Sequence, residues 1–276
     1  MRICLLAESV QNPVLAGVVA GLATRHSVVV RDPRSLTDQP AAGSAAGSAH
    51  ADLYLLKSRA PIARSVARGA ERAGATVINR PSATGAALNR RTTANLLQRA
   101  IVPTPRTWAF DRLAQLARFE FAQAMPWPLV VKSRTSRRGD LVKLVHREDL
   151  QELLPIWGNE PVIAQEFVPN DGFDIKFWVI DGRVWAARRP AALESRDKSR
   201  DVRIDRAELP DVWVQTAVRA GRAIGLDLFG VDIILTAGGP LVIDVNAFPG
   251  FQGVPNAAEC LVNYVETVAE DRRLIA

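Results

Sequence analysis

The chain has 276 residues, 48% of them hydrophobic and 23% charged, which is the composition of a folded globular protein with room for one large domain or two to three lobes. Its formal charge of +6 and pI near 9.9 suit an acidic partner such as a nucleotide, a polyphosphate or a carboxylate-rich substrate. No apolar run reaches the roughly 18 residues of a membrane span, and nucleic acid is disfavoured because zinc-finger spacing, aromatic-rich RNA-binding strands and a sustained basic helix are all missing.

Four short apolar runs, RICLLAES, HSVVVRD, ADLYLLKS and ATVINRP, are spaced by helical or loop-like stretches, which predicts a small parallel α/β lobe ending near Pro81. The opening MRICLLAESVQNPVLAGVV is interrupted by Glu8, Gln11 and Asn12, so it reads as a strand followed by a helix and not as a leader. Cys4 and Cys260 are the only cysteines and lie in no metal-binding spacing, which makes a reducing cytoplasm the expected setting. Gln39 to His50, QPAAGSAAGSAH, reads as a surface loop.

LNRRTTANLLQRAIVPTPRTW predicts a helix from about Thr92 to Ala100, stopped by Pro103 and Pro105 and leading into a second lobe. That lobe opens with LVVKSRTSRRGDLVKLV, two strands around a polar turn containing Gly139, and continues with a helix from near Arg147. VIAQEFVPNDGFDIKFWVIDGRVWAARRP adds three strands, and VWVQTAVRAGRAIGL is helical. FGVDIIL and LVIDVN are strands joined by TAGGP, and a terminal helix starts near Asn256. The expected division is 1–86, 87–165 and 166–276, with no internal repeat.

Side chains two apart on a strand share a face, so Asp244 and Asn246 point the same way, and a turn centred on Gly238 sets Asp232 opposite Asp244. Opposed carboxylates repel and call for a proton or a cation. Two carboxylates and an amide carbonyl are the oxygen ligands that Mg²⁺ takes, with positions left for water and phosphate. Equally, Asp244 and Asn246 can lie on the solvent face of an ordinary hairpin and cap the turn that follows.

Upstream, Lys132 ends the strand WPLVVK, where its ammonium can meet a phosphate or simply remain solvated. The basic SRTSRRGD can cover phosphates with peptide N–H groups and arginines. Gln165 to Val168 combine a strand with an extended exit, suited to an adenine edge beside Glu166 and Val168 or to an edge strand closed by Pro169. Asp174 and Lys176 share a strand face, as site residues or as an internal salt bridge. Arg188 and Arg189 are the catalytic candidates, able to stabilise a transferring phosphoryl group or an acyl phosphate, with surface charge as the alternative.

Taken in order, VVK, QEFV, GFDIKFWVIDGRV, GVDIIL and VIDVNAFPGF resemble the ATP-grasp superfamily, and within it the RimK-like ligases, from Asn89 to the C-terminus. The resemblance implies a mixed α/β and α+β fold: an N-terminal parallel α/β lobe, a small lid lobe and a C-terminal antiparallel-sheet lobe, with ATP between the last two. It implies nucleotide contacts from Lys132, from the hinge Gln165, Glu166, Phe167 and Val168, and from Asp174 and Lys176. Asp232, Asp244 and Asn246 match the metal ligands, for Mg²⁺ or Mn²⁺. The implied activity is a carboxylate–amine ligase acting on ATP, a small-molecule or peptide carboxylate and an amine through an acyl phosphate; homo-oligomerisation is left open.

Three departures stand out. Asp244 sits where RimK-like ligases usually carry Glu, SRTSRRGD replaces a glycine-rich lid, and an FRSN-like stretch is missing, which argues against modification of a ribosomal protein. AARRPAAL with VIDVNAFPGF also resembles the inositol trisphosphate kinases, which would make a hydroxyl the phosphoryl acceptor. A nucleotide-binding protein without catalysis is a third reading, against which Lys132, Asp232, Asp244 and Asn246 all speak. Substrate choice is expected in the N-terminal lobe and in the charged stretch Leu193 to Asp205.

Overall fold

The computed structural model describes residues 1–35, 50–118, 125–135, 141–191, 193 and 201–275. Most of the Gln39–His50 loop, the turn with Gly139 and residues 194–200 of the charged stretch lie outside them.

The first lobe is a parallel sheet of β1 (Arg2–Leu6), β2 (Ser27–Arg31), β3 (Leu53–Leu56) and β4 (Thr76–Ile78), in the order β2-β1-β3-β4. Helices cover both faces, which is why its central strands are apolar throughout. Ile3 and Leu5 pack with Leu15, Val18 and Leu22 of α1 (Pro13–Ala23), and Cys4 and Leu6 with Ala63, Ala67 and Ala70 of α2 (Pro61–Arg72). Asn12 caps α1 by accepting from the N–H groups of Val14 and Leu15, and Pro13 occupies the first turn.

Two helices follow, α3 (Pro81–Ala87) and α4 (Arg90–Arg99). The small lobe holds β5 (Thr107–Phe110), α5 (Leu113–Arg118), β6 (Leu129–Ser133), β7 (Val142–Val145), α6 (Leu150–Trp157) and β8 (Val162–Glu166). Its antiparallel sheet runs β5-β8-β6-β7. Leu129, Val131, Val162 and Ala164 face α5 and α6, so alternation sends Lys132 and Gln165 to the other face.

The third sheet consists of β9 (Phe173–Ile180), β10 (Arg183–Pro190), β11 (Val202–Ile204), β12 (Leu228–Thr236) and β13 (Gly239–Ala247), antiparallel in the order β11-β10-β9-β12-β13. Ile175, Phe177, Val231, Ile233 and Val245 of one face pack beneath α3, α4 and α7 (Asp211–Ile224). The opposite face is divided along its length. Trp178, Ile180 and Leu228 join the apolar core of the first lobe, whereas Asp174, Lys176, Arg189, Asp232 and Asp244 form a polar end.

The terminal helix α8 (Ala257–Ile275) returns to lie against α1. Gly17 and Gly21 permit that approach, since a Cβ on either would come within 2.8 Å of Ala258 or Val262. α8 thus completes the first lobe, while Ala83 and Ala87 of α3 belong to the core under the third sheet. Asn79, fully buried, ties the two together: its amide donates to the Leu228 carbonyl at 2.7 Å and accepts from the N–H groups of Asp227 and Leu228 at 2.8 and 2.9 Å. The helix expected from Arg147 begins at Leu150, because the Asp149 carboxylate takes the His146 N–H in a preceding turn. Sequence periodicity did not separate α3, β5, α5 or β11, each seven residues or fewer.

Candidate active site

The β12–β13 hairpin sets the geometry. Thr236, Leu235, Ile234 and Ile233 pair with Gly239, Pro240, Leu241 and Val242, after which the register shifts and Asp232 faces Asp244. The loop is Ala237–Gly238 and not centred on Gly238, and a bulge at Ile243 is what sets the two aspartates opposite each other. A bulged residue leaves the ladder, and the Ile243 carbonyl accepts instead from Lys132 Nζ at 3.0 Å.

Around this pair the side chains converge. Asn246 Nδ2 lies 3.3 Å from Asp244 Oδ2 and 3.5 Å from Asp232 Oδ2. Lys176, opposite Asp232 on β9, bonds to it at 3.0 Å, and Arg189 reaches the same carboxylate from β10. Burial works to raise the Asp232 pKa, but Lys176, Arg189 and Lys132 outweigh it and hold the carboxyl below its ordinary value. Gly230, facing Asn246, leaves room for Lys176: a Cβ there would sit 3.1 Å from Nζ.

Lys132 is buried and donates to Gln165 Oε1 at 2.9 Å as well as to Ile243. Burial lowers its pKa to about 8; Asp244 opposes the shift and Arg90 adds to it. Gln165 is steadied in turn by donating to Thr107 Oγ1 at 3.2 Å. Arg90, at the start of α4, donates to the Ser133 carbonyl at 2.8 Å and places Nε 3.8 Å from Asp244 Oδ1.

Sequence reasoning missed two of these residues. Arg90 stands directly after Asn89, which caps α4 by accepting from the Arg91 and Thr92 N–H groups, and that cap was its available signal. Arg59 donates to Asn246 Oδ1 at 3.1 Å. Its signal was its place just past the carboxyl end of β3, where open parallel sheets bind ligands.

The remaining candidates are distributed as follows. Glu166 ends β8 and pairs with Arg106 at 2.9 Å, and Phe167 and Val168 continue beyond the strand half-buried. Asp174 is buried opposite Arg189 on the face that carries Lys176 and Asp232. Neighbouring strand residues point to opposite faces, so Arg188 turns away from Arg189. It pairs with Asp171 at 3.0 Å and stacks 3.4 Å over the Phe173 ring.

The chain as a whole, with its parallel sheet and two antiparallel sheets, has structural counterparts among solved proteins. A RimK-domain ATP-grasp protein from Sphaerobacter thermophilus superposes with a TM-score of 0.73 at 21% identity, covering 96% of this chain and 99% of its own. D-alanine–D-alanine ligase from Bacillus anthracis, complexed with ATP, gives 0.72 at 17% identity with both chains fully covered. The fold is therefore ATP-grasp.

In sequence, a probable alpha-L-glutamate ligase from Thioalkalivibrio sulfidiphilus is 35% identical over 164 residues, 55% of this chain. The chain spans about half the length of the first curated relatives it matches, 54% for that protein. A probable alpha-L-glutamate ligase from Teredinibacter turnerae is 30% identical over 224 residues, 76% of this chain and 73% of the relative. The RimK-like ATP-grasp domain model matches residues 87–264, and with that match and the Teredinibacter relative the chain belongs to the RimK-like ATP-grasp domain family.

Proposed function

We propose that the protein is an ATP-dependent carboxylate–amine ligase that uses Mg²⁺, with Mn²⁺ as a substitute. The observation that carries this reading is the meeting of Lys132, from one sheet, with Asp232, Asp244 and Asn246, from the other, through the Ile243 bulge. Around it Lys132, Lys176, Arg59, Arg90 and Arg189 outnumber Asp174, Asp232 and Asp244, which gives the cluster the sign opposite to a triphosphate with its metal. Asp232 and Asp244 offer carboxylate oxygens, and Asn246, whose Nδ2 faces them while its Oδ1 accepts from Arg59, would complete an all-oxygen donor set for a hard divalent cation by turning its amide. That cation would neutralise charge on the transferring phosphoryl group.

Each residue then has a task. Lys132 and Arg90 hold phosphate oxygens, and the Gln165–Val168 segment with Asp174 and Lys176 orients the nucleotide. Arg189 stands beside Asp232 and stabilises the charge that develops as the phosphoryl group moves. A substrate carboxylate oxygen attacks the γ-phosphorus and ADP leaves. An amine nitrogen then attacks the acyl carbon, the C–O bond to phosphate breaks, and the nitrogen loses its proton as the amide forms. The chemistry needs no Ser, Cys or His nucleophile, because phosphate is already the leaving group. Glutamate is the first substrate to try, given the names of the relatives, and the expected setting is the cytoplasm.

The test follows the phosphate. The purified chain with Mg²⁺, γ-labelled ATP and glutamate is supplied with pooled amines and acids, with and without hydroxylamine. Orthophosphate released only when a carboxylate and an amine are both present, with a hydroxamate formed in hydroxylamine, supports the ligase. Label retained on a hydroxylamine-stable organic product would make the protein a phosphotransferase to a hydroxyl group instead.

A further inference from the structure

The surplus charge of this chain is concentrated in one segment. Residues 51–100 contain nine lysines and arginines against Asp52 and Glu71, a balance of +7, so the other 226 residues sum to −1. Within that segment Arg64, Arg68 and Arg72 recur at every fourth position of α2, which places them in a row along one side of the helix. Arg68 and Arg72 are exposed and Arg64 half-buried. Among the described residues none of the three forms an ion pair with a carboxylate. Burial lowers the Arg64 pKa, and the positive charge of the neighbouring Arg68 adds to the shift.

The row leads to the site. Arg72 Nε bonds back to the Arg68 carbonyl at 3.3 Å, and Arg64 Nη1 bonds to the Arg59 carbonyl at 2.7 Å. Each side chain therefore leans toward the N-terminal end of α2, as long helical side chains do. Arg59 in turn donates to Asn246 at 3.1 Å. The four arginines make a continuous cationic path from the surface of the first lobe to the Asp232–Asp244–Asn246 cluster.

We propose that this path docks an acidic peptide segment of the substrate, which threads along α2 and delivers its reacting end past Arg59. Successive arginines of the row are about 6 Å apart along the helix axis, and alternate side chains of an extended peptide repeat at about 6.6 Å, so carboxylates on one side of the peptide meet one guanidinium each. A single-stranded nucleic acid has a comparable phosphate repeat but also requires aromatic platforms for its bases. Residues 51–100 hold one aromatic, Tyr54, and it is buried. The proposal deepens the ligase reading by naming the class of one substrate, and its test does not depend on turnover.

The test is binding of fluorescein-labelled hexaglutamate, hexaglutamine and an eight-nucleotide oligothymidylate to the full chain, by anisotropy at low and moderate salt. Hexaglutamate should bind and hexaglutamine should not, and the charge-reversed R68E/R72E variant should bind hexaglutamate at least tenfold more weakly with unchanged ATP affinity and melting temperature. An R68K/R72K variant should keep most of the affinity. Equal hexaglutamate binding by wild type and R68E/R72E would overturn the path, as would oligothymidylate binding tighter than hexaglutamate. If hexaglutamate binds through the row but no amide forms with any acid and amine, the ligase reading fails and the docking path stands.

Discussion

Lys132 and Ile243 belong to different sheets and are joined by a hydrogen bond of 3.0 Å from a buried ammonium to a carbonyl that the β13 bulge has released from its ladder. This bond holds the small lobe against the third sheet at the point where nucleotide phosphate is proposed to sit. The same burial that encloses this bond brings the ammonium's pKa down into the range of ordinary buffers.

Burial lowers the Lys132 pKa to about 8. Phosphate requires the protonated form, so affinity for ATP should be constant below pH 7 and should fall roughly tenfold per pH unit above 8. Calorimetry between pH 6.5 and 9.5, in buffers of different ionisation enthalpy, should also record proton uptake near pH 8. Lys132→Arg should flatten the profile and Lys132→Ala should weaken binding throughout; an unchanged affinity in Lys132→Ala would remove the residue from the site.

Asp232 and Asp244 should differ in what they cost. Asp232 compensates Lys176 and Arg189, both largely buried, so Asp232→Asn leaves two cations unpaired and should destabilise the fold by about 3–5 kcal/mol. Asp244 is more exposed, and Asp244→Asn should keep the melting temperature while losing Mg²⁺-dependent turnover. Thermal denaturation and ATP hydrolysis measured on the same preparations separate the two effects, and wild-type rates in Asp244→Asn would end the metal assignment.

Gly230 should tolerate no larger residue without a functional loss. A Cβ 3.1 Å from Lys176 Nζ and 3.3 Å from the Phe177 carbonyl must push the lysine away from Asp232. Gly230→Val should therefore reduce turnover at least tenfold more than it reduces ATP affinity. Equal losses in both would mean that the substitution acts on the strand and not on the lysine.

Asn79→Ala removes three buried hydrogen bonds to the start of β12. Each unsatisfied buried group costs about 1–3 kcal/mol, and the Leu228 carbonyl keeps a bond from the Phe248 N–H. A loss of about 3 kcal/mol in urea unfolding is expected, and less than 1 kcal/mol would show that water replaces the amide.

Period-two alternation revealed the pairing of Asp244 with Asn246, and strand-wise apolar runs revealed the four strands of the first lobe in their order along the chain. Alternation also distinguishes Arg189 from Arg188, but only once the inward face of β10 is known, which the letters AARRP do not disclose. The Ile243 bulge was invisible for a different reason: one extra residue in a run of apolar side chains changes no pattern, although it redirects a carbonyl. Arg59 and Arg90 escaped because they act across 187 and 154 residues of sequence, through tertiary contacts that no local spacing encodes. The α2 arginines were overlooked because alanine, glycine and valine separate them along the chain, and only the helical turn lines them up.

The apolar core of the first lobe has a further consequence. Ile3, Leu5 and Leu15 share it with Trp178, Phe248, Phe251 and Leu261, whereas Leu113, Leu129 and Val162 of the small lobe form a core of their own. Residues from both ends of the chain thus share one core, and a fragment lacking residues 1–86 would expose a hydrophobic wall to water. Any breathing of the cleft falls to the small lobe, and a nucleotide held at Lys132 and Asp244 would act as the staple between two separately folded bodies.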